Sequence, residues 1–66
     1  MKWNDIDDIV EELDAQHPDF DIVSVRYTLL KKMVCELNGF DDEQSKCNEK
    51  ILETIQSEWL IYRDEK

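Results

Sequence analysis

Apolar residues recur at helical spacing in three separate stretches of this chain, and nothing in it alternates for long enough to build a sheet. Ile6, Ile9, Val10 and Leu13 stand at i, i+3, i+4 and i+7, one stripe of a helix predicted from about Asp5 to Gln16. Asn4 reads as its N-cap, and Asp5, Asp7 and Asp8 fall in the first turn, where the helix dipole favours carboxylates. His17 precedes Pro18 and so leaves the helical region, ending the element. A second helix is capped by Thr28, buries Leu30, Met33, Val34 and Leu37, and closes at Asn38-Gly39, the glycine supplying a left-handed residue. Cys47, Ile51, Ile55 and Trp59, with Leu52, mark a third helix from about Lys46 to Tyr62, capped by Ser45 or Asp42.

The connections follow from what lies between these stripes. Pro18 to Asp21 reads as a turn with Phe20 buried, and Ile22 to Tyr27 is β-branched enough for an extended connector. It amounts to at most one minor strand-like piece, too short to form a sheet alone. Phe40 folds back onto the core, and the polar end Arg63-Asp64-Glu65-Lys66 reads as frayed. The expected architecture is all-α: one compact three-helix domain spanning residues 1–66.

Size and charge narrow the function. A chain of 66 residues has one small core, and such a core rarely supplies more than about 3 to 5 kcal/mol of net stability. That disfavours a deep desolvated catalytic pocket and favours a binding module. Seventeen Asp and Glu against eight Lys and Arg give a net charge of -9. The acids are crowded: Asp5, Asp7, Asp8, Glu11, Glu12 and Asp14 share the first helix, and Asp41, Asp42 and Glu43 run consecutively. Such crowding destabilises a compact state, so it points to a cationic partner, with plain solubility as the alternative. It also opposes binding to nucleic acid or to an anionic membrane.

Catalytic and tight metal chemistry find little support. His17 is the only histidine, so no nucleophile-histidine arrangement is assembled, and one glycine makes no phosphate loop. Cys35 and Cys47 lack metal-ligand spacing and read as inert thiols of a reduced, cytoplasmic protein. The run Asp41 to Glu43 lacks the glycine and spaced oxygens of an EF-hand, so a cation site there would be open and shallow. Trp59 continues a core stripe; the exposure of Trp3, just before the first helix, is left open. The N-terminus has no apolar run after its basic start, which speaks against an export signal.

Phe40-Asp41-Asp42-Glu43, followed by Asn48-Glu49-Lys50-Ile51-Leu52-Glu53, Ile55 and Trp59-Leu60, resembles the C-terminal half of the IscX family, small acidic proteins of bacterial iron-sulfur cluster assembly. Lys2-Trp3 with Asp5, Pro18-Asp19 with Asp21, Val25-Arg26 with Thr28, and Cys35 with Leu37 extend the resemblance over the whole chain without gaps. The resemblance implies a modified winged helix that acts as a non-catalytic adaptor or regulator, monomeric, docking on the cysteine desulfurase IscS. It implies competition there with bacterial frataxin, ferredoxin as a further partner, and weak binding of ferrous iron with no tightly bound cofactor. The partner-binding candidates are Asp5, Asp8, Glu11, Glu12, Asp41, Asp42 and Glu43, and Asp5, Asp8, Glu11 and Glu12 are also the candidate iron ligands. An iron chaperone, or a winged-helix DNA-binding or DNA-mimic protein, are the alternatives. Leu29 and Lys31 depart from the family pattern where an acid and often a histidine are expected, Met33 replaces an aromatic, and Ile22 and Gln44 replace prolines.

Overall fold

Among the described residues three helices form where the apolar stripes stand: α1 over Ile6–Gln16, α2 over Tyr27–Cys35 and α3 over Glu49–Asp64, with a 3-10 turn at Gln44–Lys46. The structure is a computed structural model and describes residues 1–65, so Lys66 lies outside the described residues. Ile9, Val10 and Leu13 of α1 pack chiefly against Leu52, Ile55 and Trp59 of α3. α2 lies across this pair through Leu30, Met33 and Val34. Loops complete the core, with Trp3, Ile22, Val25 and Leu37 all buried. Using segments between helices is how so short a chain covers its interior.

The helix starts differ from the sequence expectation at every cap. Asp5, not Asn4, occupies the N-cap of α1, and its carboxylate accepts from the backbone N–H of Lys2 at 2.9 Å instead of capping the helix. α2 begins one residue before Thr28, with Arg26 in extended geometry at its N-cap and no side-chain cap bond. α3 is capped by Asn48, whose Oδ1 accepts from Ile51 N–H at 2.9 Å. Neither Ser45 nor Asp42 performs that role, because the 3-10 turn consumes the residues just before it and Asp42 is drawn towards Trp3.

α2 also ends early, at Cys35. Leu37 is buried but lies beyond the helix, and Gly39 turns the chain at φ +91°, where a side chain would be strained.

The connector before α2 is not strand-like. Ile22 to Val25 closes as a turn, Val25 N–H donating to Ile22 O at 3.4 Å, which buries Ile22 and Val25 and leaves Val23 73% exposed. Gln56 of α3 donates to the Ile22 carbonyl at 2.9 Å, fixing the turn from the other side. No strand forms among the described residues, since no second extended segment is present to pair with it.

The C-terminal end is likewise anchored as far as Arg63. Its Nε donates to Asp14 Oδ1 at 3.1 Å, its two terminal nitrogens donate to the carbonyls of His17 and Phe20, and its guanidinium lies 5.3 Å from the Trp59 ring centre. α3 therefore continues to Asp64, past the predicted end at Tyr62, because this arginine ties its last turns to the loop after α1.

Candidate docking surface

The helical wheel puts Asp14 with Asp7 and Glu11 on an outer flank, but the packing of α1 against α3 turns it inward. Asp14 is 3% exposed and its Oδ1 accepts from Trp59 Nε1 at 3.2 Å as well as from Arg63. It is a structural acid. The other acids of the α1 side and the pair Asp41-Asp42 have different surroundings.

Asp5, Asp7, Asp8 and Glu11 of the α1 side are exposed and Glu12 is half-buried. None of them joins a salt bridge among the described residues, so no ion pair there offsets their charge. This face projects an uncompensated negative potential.

Asp41 and Asp42 are engaged by the chain itself. The N-terminal ammonium of Met1 and the Lys2 ammonium lie 3.3 and 3.6 Å from Asp41 Oδ1, and the hydrogen bond from the ammonium terminus holds this carboxyl below the usual range. Asp42 accepts from the backbone N–H groups of Trp3 at 3.1 Å and Glu43 at 2.8 Å, which lower its pKa, and Lys46 adds a contact at 3.5 Å. Trp3, 2% exposed, donates its indole N–H to the Glu43 carbonyl at 2.8 Å and meets Phe40 edge-on at 4.8 Å. The exposure left open in the sequence is thereby decided: Trp3 belongs to the core. The second acidic cluster doubles as the clasp that holds the N-terminal segment on the loop after α2.

An open groove of about 250 Å³ runs between α1 and α3. Asp7, Val10 and Glu11 line it from one side, and Glu58, Ile61, Tyr62 and Glu65 from the other. Glu58, Ile61, Tyr62 and Glu65 were not singled out in the sequence. Their spacing of i, i+3, i+4 and i+7 shows that they share a helix flank, but only the packing shows that this flank faces α1.

For metal, the donor types are suitable and the arrangement is sparse. Asp8 and Glu12 are neighbours at i, i+4 on α1, whereas no three His, Cys, Asp or Glu among the described residues converge as a cation site. The carboxylates of α1 therefore form no cage for a cation among the described residues. Cys35 and Cys47 are half-buried free thiols, and burial pushes both pKa values up more than Lys31 draws them down.

Fold and surface together define a small three-helix protein whose α1 face carries exposed acids that join no salt bridge among the described residues. The family model for iron-sulphur cluster assembly matches residues 1–64. An uncharacterized protein of Pseudomonas aeruginosa is 38% identical over 64 residues, covering 97% of each chain. The chain belongs to the iron-sulphur cluster assembly family, that of the IscX proteins. No helix of the described residues is long and apolar enough to cross a membrane.

Proposed function

We propose that this protein is a non-catalytic, cytoplasmic adaptor that regulates iron-sulfur cluster assembly by docking its α1 face on a basic surface of the cysteine desulfurase IscS. The observation that carries the reading is the ionic asymmetry of the surface: Asp5, Asp7, Asp8, Glu11 and Glu12 join no salt bridge among the described residues, while Asp41 meets the N-terminus and Lys2, and Asp42 meets Lys46. Uncompensated charge steers a cationic partner and loses its effect with salt. Membership in the assembly family supplies the process in which that partner is found. Bacterial frataxin would compete for the same basic surface, and ferredoxin is a further candidate partner.

The decisive measurement is desulfurase affinity over a range of ionic strength, for the native chain and for Asp8→Lys with Glu11→Lys. The native complex should weaken steeply with salt, and the double reversal should lower affinity at low salt by at least about tenfold. Equal affinity and equal salt dependence for the two proteins would remove the docking reading.

Ferrous iron is a second, weaker use of the same α1 carboxylates, supported by the exposed oxygen donors at helical neighbour spacing. Calorimetric titration with ferrous iron should give weak binding that Asp8→Asn with Glu12→Gln abolishes. If that variant still regulates the desulfurase, adaptor and iron-delivery roles are separated in favour of the adaptor. Duplex DNA at low salt should not bind.

A further inference from the structure

The groove between α1 and α3 concentrates two features that oppose each other in the isolated molecule. Its apolar lining is Ile61, 51% exposed, beside the half-buried Tyr62 and over the buried Val10. Its walls are carboxylates from both helices, and no basic side chain lines it among the described residues. Asp7 and Glu11 are like charges at i, i+4, an arrangement that weakens a helix, and Glu58 and Glu65 add the same sign across the gap. An apolar surface ringed by one sign of charge is served by one kind of occupant, a long apolar stem ending in a cation.

We propose that this groove is the anchor site for an arginine of the docking partner. The inference rests on the proposed docking of the acidic face and names residues beyond those of α1. The arginine stem covers the exposed Ile61, and its planar guanidinium lies beside Tyr62 while donating to carboxylates of both walls. Lysine is the poorer fit, because a single compact ammonium bonds one wall at a time and keeps more of its hydration. A second copy of this chain is the wrong occupant, since each carries a charge of -9.

Two arms test the proposal. In the first, isotope-labelled protein is titrated at low salt with alanine-rich peptides that differ only in a central arginine, lysine or citrulline. The arginine peptide should shift the amide signals of Val10, Glu58 and Ile61 and bind about tenfold more tightly than its neutral citrulline isostere. Ile61→Ser, at a half-exposed position and checked for native helicity by circular dichroism, should weaken it several-fold. Equal binding of lysine and arginine, shifts confined to other surfaces, or concentration-dependent dimerisation lost in Ile61→Ser would each overturn the assignment.

In the second arm, desulfurase affinity is compared between Ile61→Ser with Glu58→Gln and Asp8→Lys with Glu12→Lys. Weakening by both pairs supports the groove as part of the docking surface. Loss only in the α1 pair sinks the groove while leaving the docking reading intact, and no loss in either sinks both.

Discussion

Asp14 shows how one carboxylate can be assigned wrongly by a helical wheel and correctly by its neighbours. It accepts from the indole N–H of Trp59 and the Nε–H of Arg63, so it joins α1 to the far end of α3. Asp14→Ala should remove about 3 kcal/mol, since it leaves a buried donor and a partly buried guanidinium without their acceptor. Against a net stability of about 3 to 5 kcal/mol that is most of the fold, and chemical denaturation monitored by circular dichroism measures it. Asp42 makes a pH-dependent contribution. Its folded pKa is depressed by the Trp3 and Glu43 N–H groups, so the stabilisation is present above the unfolded value of about 4 and is lost as pH falls through the folded one. Asp42→Asn should therefore lower the urea midpoint at pH 7, with the gap to the native chain narrowing below about pH 4. The Trp59 contact of Asp14 and the Trp3 contact of Asp42 each span more than thirty positions, which sequence spacing does not report.

Among the elements, the apolar stripes located all three helices, while the caps were misplaced. A stripe is set by repeated burial over many residues, whereas a cap depends on which single side chain meets one N–H. Asn4 and Thr28 are suitable cap residues by type, yet the backbone enters α1 and α2 at Asp5 and Arg26. The consequence is measurable: Asn48→Ala should cost about 1 kcal/mol, whereas Asn4→Ala and Thr28→Ala should not show a cap-sized loss. Denaturation midpoints of the three variants decide it. Arg63 belongs at this scale too. A charged C-terminal segment reads as frayed, but the carbonyls of His17 and Phe20 gather round this arginine once α1 and α3 are packed.

At the scale of the whole molecule, the charge of -9 is distributed unequally between compensated and uncompensated groups. Self-repulsion across the α1 face should make the isolated protein more stable as salt rises, because exposed charges are screened beyond about 8 Å at physiological ionic strength. Thermal melts between low and moderate sodium chloride should therefore move upward, in the same range where affinity for a basic partner falls. A melting temperature that drops over that range would remove the claim of an uncompensated surface. The sequence by itself determined the helical class, the excess of acid and the resemblance that membership in the assembly family confirmed, because periodicity, composition and residue order are local properties of the chain. Only the tertiary structure decided which acids are available. It drew Asp14 into the core, spent Asp41 and Asp42 on the N-terminal segment, and set the carboxylates of α3 opposite those of α1, since each outcome depends on residues brought together by packing across the molecule.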